Sequence, residues 1–215
     1  MSYIEYKHKI EFGETEYDFI NSYCATKPLD WTMSVWDQRS LEFASRYNLP
    51  FLKLPSAKLT DDDLLIESCR TGQLIVASTG MSTIEEVDHA VELLEKYATQ
   101  FVLLHSTSSY PVANNEINLN SIPYLRERYG CLVGYSGHEY GLTPTAVAGA
   151  MGAVIVERHI TIDHNMWGTD QSASVEITGM EILRKRFNSD MNIFGEKTKF
   201  LFESEKAARK KLRAR

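Results

Sequence analysis

The sequence is short of cysteine, of long apolar runs and of positive charge, and each shortage narrows what the protein can be. Its three cysteines, Cys24, Cys69 and Cys131, are widely spaced with no CxxC pair, which argues against a disulfide framework and against a zinc knuckle. No apolar run is long enough to cross a bilayer and no secretory leader pattern opens the chain, so no membrane partner and a cytoplasmic location are expected. The net charge of −6 leaves no basic face for nucleic acid. Lys206 to Arg215 is the local exception, and it reads as the solvated side of a terminal helix. Several catalytic signatures are missing too. No GxGxxG or GxxxxGK[ST] follows a strand-like run, which weakens dinucleotide and P-loop readings, and there is no GxSxG elbow. No cysteine stands beside a histidine at a strand end, and no carboxylate pair suited to glycoside hydrolysis is evident there.

What remains is a chain of 215 residues with 43% hydrophobic content, enough to bury one sizeable core, so residues 1–215 are expected to form a single domain. Apolar, β-branched runs alternate with helical patterns. Strands are expected at Trp31–Trp36, Phe51–Leu54, Leu74–Ala77, Phe101–Leu104, Cys131–Tyr135 and Val154–His159. Helices are expected at Glu14–Tyr23, at Leu41–Tyr47 with Asp37 as cap, and at Leu64–Cys69 with a Thr71-Gly72 stop. Others fall at Ile122–Tyr129, Thr145–Met151 and Gly179–Phe187. The helix after Ser82 is the clearest. Ser82 with Glu85 suggests a capping box, and Ile84, Val87, Val91 and Leu94 recur at helical spacing. Strands apolar on both faces, each followed by a helix, imply a parallel sheet covered by helices. Periodicity leaves open whether the fold is an open doubly wound sheet or six units of an eight-unit barrel.

In either fold ligands bind at the carboxyl ends of the strands. Those ends bring Ser34 and Trp36; Lys53 and Ser56; Ser78, Thr79 and Gly80; His105, Thr107, Ser108 and Tyr110; Ser136 and His138; and His159 with Asp170. Hydroxyls, one lysine and small residues suit an anion such as phosphate, because they offer donors without bulk. Two neutral imidazoles, His138 and His159, suit a divalent metal of the manganese, iron or zinc type. The alternative is a pair of core histidines held by backbone groups. Strand alternation puts Glu157 on the same side as His159 and Arg158 on the helix side, so Glu157 is either a counter-charge for Lys53 or a structural ion-pair member. His105 reads as a wall residue or a third ligand.

Six stretches then add up to a resemblance. They are Phe51-Leu52-Lys53-Leu54-Pro55-Ser56-Ala57-Lys58, Ser78-Thr79-Gly80-Met81-Ser82, Leu103 to Pro111, Gly134-Tyr135-Ser136-Gly137-His138, Glu157-Arg158-His159 and Trp167-Gly168-Thr169-Asp170-Gln171. In their order and spacing the chain resembles the sialic acid synthase family, whose members condense phosphoenolpyruvate with an N-acetylated hexosamine. The resemblance implies a (β/α) TIM-type barrel, here incomplete, with about six of its eight units. It makes His138 and His159 the ligands of a divalent metal, Mn2+ above all, and makes Lys53 catalytic along with them. Lys53, Ser56, Ser78 and Ser136 match residues that hold phosphoenolpyruvate, with Ser34 nearby and Ser108 standing where an Asn is usual. Tyr110 and Asp170 match contacts to the amino sugar.

The implied reaction joins C3 of phosphoenolpyruvate to the aldehyde of open-chain N-acetylmannosamine, with the metal as Lewis acid; water adds at C2 and phosphate leaves by C–O cleavage. Legionaminic or pseudaminic acid synthesis is a related reading, and Lys58 stands where many bacterial members have Glu. Set on the family's order, the chain begins at about the helix after the second barrel strand. The family's strand-one Glu and strand-two Lys and Gln fall outside it, and no antifreeze-like domain follows. A homodimer, or association with a separate amino-terminal segment, is therefore expected, and a non-catalytic or split-subunit role is the alternative.

Overall fold

The computed structural model describes residues 2–189, 193–196 and 198–213. Two helices, α1 (Tyr3–Ile10) and α2 (Glu14–Ala25), lead into α3 (Gln38–Ala44). Strands and helices then alternate: β1 (Phe51–Leu54), α4 (Asp62–Arg70), β2 (Leu74–Ser78), α5 (Ile84–Tyr97), β3 (Phe101–Ser106), α6 (Ser121–Tyr129), β4 (Leu132–Gly137), α7 (Thr143–Ala150) and β5 (Val156–Arg158). The five strands form one parallel sheet in the order β1-β2-β3-β4-β5. After it come a small parallel pair, β6 (Ile160–Thr161) with β7 (Val175–Glu176), then α8 (Ile177–Ser189) and α9 (Glu203–Leu212). No helix of the described residues is long and apolar enough to cross a membrane.

The sheet is curled. Laid flat at about 4.8 Å per strand, β1 and β5 would lie roughly 19 Å apart, more than a lysine and a glutamate can span. Yet Lys53 Nζ on β1 is 3.5 Å from Glu157 Oε2 on β5. The two edges bend toward each other as staves of a partial barrel, with an inside and an outside. Alternation sorts the side chains accordingly. Leu52, Leu54, Ile75, Ala77, Leu103, Val133 and Tyr135 face out and join Leu64, Val87, Leu94, Ile122 and Ala148 of the helices in the large core. Val76, Val102 and Leu104, with Phe51, Leu74 and Ile155 against them, form a second, smaller cluster on the inside. Leu103 is fully buried in the outer layer, where truncation to Ala costs about 2–5 kcal/mol.

Three expectations need correction. The first strand, Trp31–Trp36, contracts to a single parallel bridge, Ser34 to Lys53, with Val35 N donating to Lys53 O at 3.0 Å. Thr32 Oγ1 takes the Phe51 carbonyl at 2.6 Å, so the side chain occupies an acceptor that a ladder amide would use. The capping box of α5 sits one residue later. Thr83 and Glu86 exchange the two cap bonds, while Ser82 Oγ turns back to Gly80 O at 3.4 Å. Asp37 does cap its helix, accepting from Ser40 N, but that helix ends at Ala44 rather than Tyr47. The last expected strand is β5, and ladder bonds begin ahead of it at Val154 N to Val133 O. Gly130 ends α6 in the left-handed region (φ 62°), as a helix stop requires. The terminal basic helix is present as α9, and residues 214–215 of that stretch lie outside the described residues.

Candidate functional site

The inner face changes character toward the carboxyl ends. Lys53 is level with Val76 and Val102, and Ser78 with Leu104; Ser106, Ser136 and Glu157 share the next polar level, followed by His138 and His159. Lys53, Ser78, Ser106, Ser136 and His138 are buried despite their polarity. Lys53 Nζ donates to Ser78 Oγ at 2.7 Å and to Leu54 O at 3.1 Å. Glu157 faces it as counter-charge at 3.5 Å, but Glu157 Oε2 makes no hydrogen bond. Burial therefore wins over the carboxylate, and the lysine's pKa is lowered.

Beside the lysine, Gly80 makes a cradle. Its N–H donates to Ser56 Oγ at 3.0 Å, and a Cβ there would collide with Ser108 Oγ and stand 2.8 Å from Ser56 Oγ. Two hydroxyls thus meet where any side chain would fill the space, one of them already accepting from the Gly80 amide. Hydroxyls placed in this way near a cation are able to donate to an oxyanion.

The two histidines form the other half. Their rings are 5.2 Å apart between centroids. His138 Nδ1 lies 2.9 Å from Thr107 O, and since a carbonyl only accepts, Nδ1 carries the proton and Nε2 keeps its lone pair. Burial lowers the His138 pKa, with His159 lowering it further against the Thr107 bond and nearby carboxylates. That direction favours the neutral imidazole, the form that ligates metals. His159 is fixed through its backbone, whose carbonyl accepts from Val175 N at 2.7 Å as the chain returns to make β7. That return brings Asp170 Oδ2 to 3.8 Å from His159 Nδ1. Tyr110 packs on both rings, at 4.2 Å from His138 and 5.6 Å from His159, and burial raises its hydroxyl pKa ahead of Asp170 and Glu157. Among the described residues no set of three or more His, Cys, Asp and Glu gathers as a metal cage. The chain offers two nitrogen donors with open positions beside them, a set that fits a divalent ion sharing its shell with water or substrate.

The expected residues fall into these two groups with one exception. Lys53, Ser56, Ser78, Ser108 and Ser136 stand on the lysine side, and His138, His159, Tyr110 and Asp170 on the imidazole side. Ser34 is exposed and joined to the site only by its backbone bridge to Lys53. His105 is a wall residue, donating from Nε2 to Ile117 O at 2.7 Å on the outer face. Lys58 reaches Asp61 Oδ2 at 3.0 Å.

Sequence reasoning overlooked Ser106, and it overlooked a buried cluster directly behind the histidines. Arg158 Nη1 bonds Glu139 Oε1 at 3.0 Å, Gly141 O at 2.8 Å and Thr145 Oγ1 at 2.9 Å. Its Nη2 bonds Glu139 O at 2.7 Å and Ala173 O at 3.1 Å, while Glu139 also accepts from Tyr135 and Thr145. One guanidinium thus ties together the chain after His138, the start of α7 and the loop that carries Asp170. The available signal was adjacency: Glu139 follows one histidine and Arg158 precedes the other.

A curled parallel α/β sheet with polar side chains at its carboxyl ends defines the class of partial (β/α) barrels. Within that class the chain belongs to the NeuB family, whose model matches residues 1–199. It is 36% identical over 177 residues to N-acetylneuraminate-9-phosphate synthase of Drosophila melanogaster, covering 81% of this chain and 48% of that protein. It is 30% identical over 212 residues to the human protein of the same name, covering 98% and 59%. The sialic acid synthetase of Leptospira borgpetersenii superposes with a TM-score of 0.85 at 28% identity, over 95% of this chain and 73% of that one. The chain spans about half the length of the curated relatives it matches.

Proposed function

We propose that this chain supplies the substrate pocket of a synthase that condenses phosphoenolpyruvate with an N-acetylated hexosamine, giving a nonulosonic (sialic) acid and phosphate. The observation that carries the reading is the junction of two sites. The Lys53–Ser78 pair and the Ser56–Gly80–Ser108 cradle lie at the ends of β1 to β3, at the same end of the sheet as the two imidazoles that follow β4 and β5, His138 with a free Nε2. The first suits the phosphate and carboxylate of phosphoenolpyruvate. The second suits a divalent ion, manganese by family resemblance, which when bound would polarise the sugar's carbonyl.

The chain's own residues do the rest. Lys53 and the serines neutralise and orient the anion, leaving its C3 free to bond to the sugar's aldehyde carbon. Water adds at C2, and the C–O bond to phosphate breaks while the same donors hold the leaving group. Tyr110, packed on both imidazoles, and Asp170 bound the side where the sugar enters. The Drosophila and human relatives are named as 9-phosphate synthases and the Leptospira one as a sialic acid synthetase, and position 9 derives from the sugar's carbon 6, so N-acetylmannosamine is best compared with its 6-phosphate.

The test is phosphate release from phosphoenolpyruvate with manganese and a panel of amino sugars, by this chain alone and with a peptide carrying the family's first two strands. Release that requires the sugar supports the proposal. No release in either setting, with any sugar, overturns it.

A further inference from the structure

We infer that Ser106 is an additional binding residue of the anion site, donating its hydroxyl to a carboxylate or phosphate oxygen of the substrate; this rests on the anion reading of the pocket given above. Ser106 is the last residue of β3 and is 6% exposed. Its Oγ is buried and has no hydrogen-bond partner among the described residues. A buried hydroxyl without a partner destabilises the fold that contains it, so one in a packed wall wants a reason.

Alternation supplies its direction. Val102 and Leu104 belong to the inner cluster and Leu103 to the outer core, while His105 bonds Ile117 on the outside. Ser106 continues the inner series. Its register partner is Ser136, which in turn faces Glu157, whose Oε2 also makes no hydrogen bond. On the other side Ser78 pairs with Leu104, so Ser106 stands level with Gly80, two residues further along both strands. The unmet hydroxyl therefore lies between the glycine cradle and the Ser136–Glu157 side. Of the buried groups without partners, Ser106 Oγ and Glu157 Oε2 lie where the ligand would sit, while Ser68 Oγ and Arg158 Nε lie on the outer side.

The molecule contains its own control. Ser68 Oγ on α4 is likewise buried and unpartnered, but it lies in the outer layer between helix and sheet. The experiment compares Ser106→Ala and Ser68→Ala with the unaltered chain. It measures phosphoenolpyruvate and inorganic phosphate binding by calorimetry, and the melting temperature with and without each. Ser106→Ala is expected to bind phosphoenolpyruvate about tenfold more weakly, the range for a hydrogen bond to a charged group. Its ligand-free melting temperature should stay level or rise, and Ser68→Ala should bind as the unaltered chain does. Loss confined to phosphoenolpyruvate assigns Ser106 to the carboxylate end, and loss shared with inorganic phosphate assigns it to the phosphate. Unchanged binding by Ser106→Ala, or a ligand-free melting temperature that falls, overturns the inference and leaves the pocket reading standing. An unaltered chain that binds neither anion overturns both.

Discussion

Two consecutive residues of β5 enter two very different ion pairs. Glu157 points inward to Lys53, and Arg158 points outward to Glu139. The outer pair is sealed, with side chains 2% and 0% exposed, and five acceptors receive from its two Nη atoms, while Arg158 Nε makes no hydrogen bond. The inner pair is longer, its glutamate is 41% exposed, and one carboxylate oxygen makes no hydrogen bond. A few ångströms of backbone thus separate a many-bonded polar cluster sealed from solvent from one that opens toward it. Closed clusters hold architecture, and open ones await a ligand.

The largest expected effect tests the closed side. Arg158→Met leaves Glu139 buried without its cation and should cost about 3–5 kcal/mol in urea unfolding. Lys53→Met should cost less than about 1 kcal/mol by the same measurement, because Glu157 can hydrate and the lysine itself is poorly solvated. Equal losses would erase the distinction between the pairs.

Binding should show the opposite order. Lys53→Met removes the cation of the anion site and is expected to weaken phosphoenolpyruvate by roughly 100-fold in calorimetry, from the loss of charge-assisted bonds. Next in size comes Gly80→Ala. Gly80 is not in the left-handed region, so its backbone tolerates alanine, but the new methyl meets Ser108 and Ser56. Overpacking on that scale predicts anion binding about tenfold weaker with the fold retained. If Gly80→Ala binds phosphate normally, the cradle is not where the anion rests.

Much of this was legible in the chain, for identifiable reasons. Short continuous apolar, β-branched runs located β1 to β5, and strand-end chemistry picked out Lys53, Ser78, His138 and His159, because those signals are local. The strand at Trp31–Trp36 was overcalled, since a sheet edge has only one partner and Thr32 diverts a carbonyl. The helices α1 and α9 are exposed along most of their length, and α1 in particular has little apolar periodicity to announce it. The Arg158 cluster stayed hidden because it joins residues 13 to 19 positions apart, among them Glu139, Gly141, Thr145 and Ala173, through a fold-level contact. Ser106 stayed hidden because nothing in a sequence marks a hydroxyl as unpartnered.

The smallest expected effect compares the two faces through their buried histidines. His105 outside and His138 inside are both pushed below the ordinary 6.5, burial being the larger cause in each. The unfolded chain therefore takes up these protons near pH 6.5, and the folded chain only at lower pH. Their contribution to stability is complete above 6.5 and is lost as pH falls below it toward the folded values. His89 works in the other direction, since its bond to Asp62 raises its pKa, but it is exposed and salt should screen it. Urea unfolding at moderate salt from about pH 7.5 to 5.5 should thus show a loss on the order of 1 kcal/mol. His105→Gln should remove part of that slope and leave anion binding intact, since its ring faces the outer core. His138→Gln should remove another part and abolish the manganese dependence of any sugar turnover. A slope untouched by either substitution would mean that carboxylates, not these imidazoles, set the acid response.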